Sequence, residues 1–374
     1  MTSAVSIVIP NWNGLELLKR FLPSVISAAS HYSQQSNNPT EIVVVDDDST
    51  DQSIQWLHEQ GFAEEIERGD VATGRTGNAE PGTKLRLFRN EINRGFGPTC
   101  NRGFEAASFP LVFLLNNDVD VELNAIAPLV ENFRDESVFA AHCRVFDLES
   151  GREVGTGKLG SFGRGFIRVH RSYVWWPSTS QTQAAKECGR LFSVFAGGGS
   201  AMFDREKFLK IGEFDELLAP IYWEDVDISY RAWKRGLSVV FEPRSIVHHR
   251  VSSTMRKLNQ AEVRRMQHRH RLIYHWVNLH ERALISSHIA WVLLLTLTAP
   301  LRLQPGFLWS VFSALRVLPQ IRKRRREEKE AARRSDHEVF EIFTALEKRA
   351  DVFAYDDYAE LEARQQKQQR IVPY

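Results

Sequence analysis

Glu41-Ile-Val-Val-Val-Asp-Asp-Asp-Ser-Thr-Asp51 decides the fold. A β-branched run stops in three consecutive aspartates, with Ser49, Thr50 and Asp51 as N-cap candidates for a helix carrying Ile54, Trp56 and Leu57. Upstream, Val5-Ser-Ile-Val-Ile9 ends at Pro10, and Asn-Trp-Asn-Gly leads into a helical pattern of Leu15, Leu18, Phe21, Leu22 and Val25. Downstream, Lys84 to Phe88 precedes Asn93-Arg-Gly-Phe-Gly97, and Leu111 to Leu115 runs into Asn116-Asn-Asp-Val-Asp120. Strands alternating with helices predict an α/β, Rossmann-like, mostly parallel central sheet flanked by helices. Ligands of such sheets sit outside the carboxyl ends of the strands, so the polar loops are expected to share one crevice.

Within the 374 residues, 48 basic side chains stand against 47 acidic ones, a net charge of +1 that argues against a general nucleic-acid binder. Cys100, Cys143 and Cys188 are odd in number and widely spaced, which fits a reducing compartment better than a disulfide framework. The first ten residues lack a basic stretch followed by a long apolar one, so a cytosolic protein is expected rather than an exported one. The segments from His31 to Thr40 and Arg68 to Thr83 read as surface loops.

The strand ends hold the chemistry. Asp46 could accept a hydrogen bond from a pyrimidine N–H, with Pro10 and Asn11 as the other wall of the slot; the alternative is that Asp46, Asp47 and Asp48 only cap the next helix, which needs one carboxylate. Asp118 ends a strand at the same crevice and suits a hard cation such as Mg²⁺ or Mn²⁺, which keeps places for phosphate oxygens. Asp120 serves either as second ligand or as a helix cap. Glu224 and Asp225 fall in the first turn of the helix begun by Trp223-Glu-Asp-Val-Asp-Ile-Ser-Tyr-Arg231, where acids can be simple dipole complements. Gly197-Gly-Gly199 upstream permits close backbone approach to a ligand. His248 is a metal or phosphate candidate, with His249 as its competitor.

These residues resemble family 2 glycosyltransferases of the GT-A fold over roughly residues 5 to 254. Val5 to Asn13 is similar to the family's opening strand, Val45 to Asp51 to its base-binding turn, and Asn93 to Asn101 to its donor-contact segment. Leu115-Asn-Asn-Asp118 resembles a degenerate Asp-x-Asp metal motif. Gly197 to Met202, Gly212 to Glu216 and Trp223 to Asp227 resemble the acceptor-side motifs, which include Gly198, Gly199 and Trp223. The resemblance implies that Asp46 contacts uracil or thymine, and that Arg94, Asn101 and Asn117 belong to the donor region. It further implies that Asp118 and His248 meet the metal or diphosphate, and that Asp225, with Glu224 beside it, supplies the base of an inverting transfer. Two departures stand out: Asn116 replaces the first carboxylate of Asp-x-Asp, and Asp48 replaces a common glycine. Within the family the chain looks most like bacterial rhamnosyltransferases. The implied donor is a UDP- or dTDP-sugar, including dTDP-rhamnose, and the implied acceptor a glycan or lipid-linked glycan of surface polysaccharide synthesis.

Residues 1–255 are read as the catalytic domain and 256–374 as a helical, basic and amphipathic extension. Ala283 to Leu301 carries no Asp, Glu, Lys or Arg, yet its hydroxyls, His288 and the flanking Pro305-Gly306 favour an interfacial helix or hairpin over a span. Trp276, Trp291 and Trp309 interleaved with Arg and Lys suit a membrane-surface anchor, placing the protein peripherally on the inner face of the cell membrane. The Arg322 to Arg334 run is broken by Glu327, Glu328 and Glu330, which favours a solvated helix over nucleic-acid binding. A dinucleotide-binding oxidoreductase is excluded because no Gly-x-Gly-x-x-Gly follows the first strand. The competing class is a non-enzymatic membrane-surface adaptor on a degenerate nucleotide-binding fold, which leaves the carboxylates at separate element ends without a role.

Overall fold

A computed structural model of the chain describes residues 3–65, 77–80, 82–175, 189–250, 259–301, 304–357 and 359–361. In chain order the N-terminal elements are β1 (Val5–Asn11), α1 (Leu15–Ser36), β2 (Thr40–Asp46), α2 (Ser53–Glu59), β3 (Ala63–Glu64), β4 (Gly77–Glu80), β5 (Thr83–Arg89), α3 (Phe96–Ala106), β6 (Leu111–Leu115) and β7 (Val119–Val121). The middle comprises α4 (Ile126–Asn132), β8 (Val138–Asp147), β9 (Glu153–Gly155), β10 (Gly157–Gly163), β11 (Phe166–Trp175), β12 (Ser200–Asp204), α5 (Arg205–Ile211), α6 (Glu224–Lys234) and β13 (Ser238–His249). Then come α7 (Gln260–Asn278), α8 (Arg282–Thr298), α9 (Pro305–Arg316), α10 (Leu318–Ala331), α11 (Asp336–Glu347) and β14 (Val352–Tyr355).

The main sheet runs β3-β5-β2-β1-β6-β12-β8-β13-β7. Strands β5, β2, β1 and β6 are mutually parallel, and β12 enters antiparallel between β6 and β8. Alternation along each strand sends side chains to opposite faces. Val5, Ile7 and Ile9 of β1 and Ile42 and Val44 of β2 pack with Leu18, Leu22 and Val25 of α1. Val8, Val43 and Val45 pack on the other face with Phe104 of α3. Both faces are covered, so these strands read as unbroken apolar runs; each buried Val, Leu, Ile or Phe contributes about 1.5–3 kcal/mol. The mostly parallel α/β reading is thus realised around the four strands that carry the polar loops.

Helix α1 continues through His31 to Ser36, where the sequence reads as a loop. Tyr32 explains the extension: its ring is buried and its hydroxyl donates to the Ser3 carbonyl (2.7 Å). Most of the second expected loop, 68–83, lies outside the described residues.

A smaller antiparallel sheet, β10-β11-β14, takes its last strand from near the C-terminus, with Trp175 opposite Val352. Helix α11 places Val339, Phe340, Phe343 and Leu346 in the same core as Tyr230 and Trp233 of α6. Side chains from beyond residue 259 therefore share a core with the strands of the catalytic face. Among the described residues, no helix is long and apolar enough to cross a membrane.

Candidate active site

The first two polar turns are locked to each other before any ligand arrives. Asn13, in the left-handed region (φ 48°), accepts N–H bonds from Thr50 (2.8 Å) and Asp51 (3.2 Å). Asp51 in turn accepts from the Leu15 N–H at the start of α1 (3.1 Å) and the Ser53 N–H at the start of α2 (3.0 Å), so one carboxylate caps two helices.

The three aspartates have three different tasks. Asp46 is fully buried and accepts from the Ser49 N–H (2.9 Å), the Ser49 hydroxyl (2.7 Å) and the Asn11 amide (2.9 Å). In this structure it organises the walls of the slot rather than lining it, which differs from the direct base contact expected of it. Asp47 accepts from the Asn90 amide (2.7 Å) and the N–H groups of Arg94 and Gly95 (2.9 Å each), pinning the loop that opens α3. Asp48 sits at φ 62°, a conformation that explains why glycine suits this position. Pro10, one residue before the end of β1, lies opposite Val45.

The third loop joins the same network. The Asn11 side-chain Oδ1 accepts from the Asn117 amide (2.8 Å), giving a chain from Asp46 through the Asn11 side chain to Asn117. One residue on, Asp118 is buried, and its Oδ1 lies 2.9 Å from His249 Nε2. Strands β13 and β7 are antiparallel, with His249 opposite Val119 and His248 opposite Asp120. His248 consequently turns to Glu122 (3.2 Å) and stacks on Phe146, so the structure pairs Asp118 with His249 and not with the expected His248. Among the described residues no group of three or more His, Cys, Asp or Glu could hold a metal by itself. Asp118 and His249 instead offer one oxygen and one nitrogen, which fits a cation that fills its remaining positions with phosphate oxygens and water. Asp120 makes no third member of that pair.

Arg94 is half exposed and pairs with Glu216 (3.1 Å). Asn101, expected at the donor, is buried and spends its amide on Phe214: it donates to that residue's carbonyl (2.9 Å) and accepts from its N–H (3.0 Å). It staples α3 to the segment 212–216.

The glycine run closes the site. A Cβ on Gly199 would collide with the Asn116 amide, and the Gly199 carbonyl accepts from the Asn116 N–H (3.1 Å). On the other side, the Gly198 N–H donates to Asp225 Oδ2 (3.3 Å). The turn at 197–199 therefore carries the 116–118 loop on one flank and Asp225 on the other. Tyr222 and Trp223 adopt φ 80° and 76° immediately before α6, a rarely populated backbone state for side chains of this size. Trp223 is held there by a tilted ring contact with Tyr274 (5.2 Å).

Burial raises the Asp225 carboxyl above its ordinary range, opposed by N–H donation from Gly198 and Val226. Glu224 turns away toward Gly97 and Cys100 of α3. Its carboxyl is pushed well above the usual range by burial first and by the neighbouring Asp225 charge second, and its Oε2 has no hydrogen-bond partner among the described residues. The charge of the adjacent pair accordingly resides on Asp225.

Comparison with known proteins follows this geometry. The model of "Glycosyl transferase family 2" matches residues 6–212, more than half the chain. The chain belongs to glycosyl transferase family 2. A second model, "Glycosyl transferase family group 2", matches residues 118–321, which carries the family match into α10. Among curated relatives, the probable N-acetylgalactosaminyltransferase 9 of Caenorhabditis elegans is 26% identical over 212 residues, 56% of this chain and 34% of that protein. The polypeptide N-acetylgalactosaminyltransferase 3 of Drosophila melanogaster is 25% identical over 169 residues, 44% of this chain and 25% of that protein. This family 2 chain thus spans about a third or less of the length of these relatives. Its fold is similar to that of GalNAc-T7 solved with UDP, GalNAc and Mn²⁺ (TM-score 0.51, 21% identity, 74% of this chain and 48% of that one). It is also similar to Staphylococcus aureus TarS 1–349 in complex with UDP-GlcNAc (TM-score 0.51, 13% identity, 91% and 90% covered). Both likenesses identify the GT-A fold.

Proposed function

We propose that the protein is an inverting glycosyltransferase that moves a sugar from a pyrimidine nucleoside-diphosphate donor onto an acceptor hydroxyl. The observation that carries this reading is the 197–199 turn, which seats Asn116 of the metal loop against Gly199 and Asp225 against Gly198. The nucleoside belongs at the carboxyl ends of β1, β2 and β6, where Asp46 braces the hydrogen-bonded Asn11–Asn117 wall from behind. Uridine nucleotides are also what the GalNAc-T7 and TarS structures hold.

Asp118 and His249 would hold a divalent cation, Mn²⁺ or Mg²⁺, which when bound supplies positive charge at the diphosphate. Asp225 takes the acceptor proton; the freed oxygen pair bonds to the anomeric carbon from the face opposite the diphosphate, and the C1–O bond breaks with its electrons on the leaving group. Asp225 suits this task because burial raises its pKa and so strengthens it as a base. Placement at a membrane surface is part of the reading, supported by the outward leucines of α8 and α9, among them Leu297 (76% exposed) and Leu301 (85%) just beyond α8.

Calorimetric titration with UDP, dTDP and GDP, with and without Mn²⁺, tests the donor half. UDP or dTDP binding strengthened by Mn²⁺ is the expected result, and no Mn²⁺-dependent binding of any of the three contradicts it.

A further inference from the structure

Asp225 is the second residue of a helix that begins without a side-chain cap. Trp223 holds the N-cap position of α6 and makes no side-chain hydrogen bond to the first turn, where Ser, Thr, Asp or Asn would ordinarily fix the helix entry. Tyr222 and Trp223 both sit in the left-handed region (φ 80° and 76°), a state that side chains of this size keep only where the surroundings impose it. The direction in which α6 leaves this turn, and with it the place of the Asp225 carboxylate, therefore depends on what grips residues 217–223.

Helix α7 supplies the grip. His270 is 1% exposed, and its Nδ1 lies 3.0 Å from the Ile221 carbonyl oxygen and 3.1 Å from that of Tyr222. A carbonyl oxygen only accepts, so Nδ1 carries the hydrogen and shares it between the two successive carbonyls that lead into the strained pair. Burial first and the Arg269 charge second lower the ring's pKa to about 4, which suits a neutral imidazole in the Nδ1–H form. One position earlier, Arg269 Nη1 donates to the Leu217 carbonyl (3.1 Å).

The other side of the same segment meets the loop that opens α3. The Phe96 N–H donates to the Pro220 carbonyl (2.7 Å), and a Cβ on Gly95 would collide with Pro220. A cavity of about 290 Å³ reaches Asp225 and is lined by Tyr222 and Trp223 of the turn and by Gln267 and Arg271 of α7. Turn and helix thus bound the space that the base faces.

We propose that His270 is a positioning residue for the transfer: its Nδ1–H fixes the turn at 221–223 and so seats Asp225 against the Gly198 N–H, where it meets the acceptor hydroxyl. This rests on the reading of Asp225 as the acceptor-side base. A packing role alone would not call for a donor at Nδ1, since an apolar side chain fills a similar volume while leaving both carbonyls without that N–H. The grip comes from beyond residue 255, so the helical extension contributes to catalysis through α7.

The test compares three variants of the full chain. His270→Leu removes the donor, His270→Asn carries an amide nitrogen to the Nδ1 position, and His270→Gln carries one to the Nε2 position instead. Hydrolysis of UDP-glucose, UDP-galactose and their N-acetylamino counterparts with Mn²⁺ gives a rate without an identified acceptor. Water then bonds to the anomeric carbon, its proton passes to Asp225, and the C1–O electrons leave with UDP. His270→Leu and His270→Gln should lower kcat by about 100-fold, the cost of a misplacement near 1 Å, with KM and the calorimetric affinity for UDP and Mn²⁺ unchanged; His270→Asn should recover most of the loss. Crystal structures of the two amide variants give a reading that needs no turnover: Asp225 is expected away from the Gly198 N–H in His270→Gln and against it in His270→Asn. A wild-type rate in His270→Gln, equal losses in both amide variants, or an unmoved Asp225 in the His270→Gln structure each overturns the proposal. If His270→Leu does not fold, the two amide variants decide. Asp225→Asn run alongside separates the two readings: full hydrolysis by that variant strikes the base assignment, whereas its loss together with wild-type hydrolysis by His270→Gln strikes this inference alone.

Discussion

Removing the carboxylate of Asp336 should cost the protein more stability than most core truncations. Asp336 is fully buried at the first turn of α11 and accepts four hydrogen bonds: Lys234 Nζ (2.6 Å), Tyr230 hydroxyl (2.9 Å), and the N–H groups of His280 (2.8 Å) and Glu281 (3.1 Å). Lys234 and Tyr230 belong to α6, and His280 and Glu281 to the turn between α7 and α8, so one side chain ties α11 and that turn to the helix that bears Asp225. Breaking a buried ion pair from one side leaves the other charge uncompensated, at about 3–5 kcal/mol. With Tyr230 and two N–H groups also orphaned, Asp336→Ala belongs at the upper end, a third or more of a typical total stability of about 5–15 kcal/mol. Urea unfolding followed by tryptophan fluorescence reads this as a lowered midpoint at unchanged slope. Lys234→Met should cost a comparable amount, and the double variant Lys234→Met/Asp336→Ala less than the sum, with a coupling of roughly 1–3 kcal/mol. Costs that add within about 0.5 kcal/mol, or an Asp336→Ala variant as stable as wild type, would refute the clamp. The pair also sets a pH dependence. Burial alone would raise the Asp336 carboxyl, but Lys234 and the N–H donors hold it below its ordinary range, so this stability is present above the unfolded-state pKa and lost as pH falls through the lower folded one.

Other consequences concern the site itself. Asp225→Asn should lower kcat by about 10²- to 10⁴-fold while leaving the calorimetric affinity for UDP and Mn²⁺ unchanged, as expected for loss of a general base; a weakened donor with normal turnover would contradict the assignment. Because burial raises the Asp225 carboxyl, wild-type kcat should fall on the acid side along a limb centred above the ordinary aspartate value of about 3.9, the rate rising as pH passes upward through that limb. A limb at or below that value in a pH-rate series would count against it. Gly199→Ala drives a methyl into the Asn116 amide, so it should cost about 1–3 kcal/mol and weaken Mn²⁺-dependent UDP binding; thermal melts and calorimetry that match wild type would show the turn to be permissive.

The parallel strands were legible because burial on both faces writes them as continuous apolar runs, and their ends were legible because each run stops at a polar residue. That logic places Asp46, Asn11, Asn117 and Asp118 at one crevice. Which neighbour faces inward was harder to read. His248 and His249 differ only in parity, and β13 carries an irregular register between Glu242 and Ile246 that resets the alternation before it reaches them. Asp46 looks like a ligand, yet the Ser49 N–H and hydroxyl and the Asn11 amide take up its oxygens, and Asp47 is engaged in the same way by Asn90 and the Arg94 N–H. Asn101 carries a motif position but not a free amide, because its partner at Phe214 is more than a hundred residues away. Strand β14 and the Asp336 clamp escaped for the same reason: nothing local in a charged, helical stretch reveals that its end pairs with β11.

The Asp118–His249 pair and Asp225 should flank one donor-binding crevice across the 197–199 turn. A crystal structure with Mn²⁺ and UDP, with the metal located by its anomalous scattering, measures this directly. A single peak is expected within coordination distance of Asp118 and His249, with the diphosphate extending toward Gly198 and Asp225. A peak at His248 and Glu122, or a diphosphate on the far side of the sheet from Asp225, would contradict it.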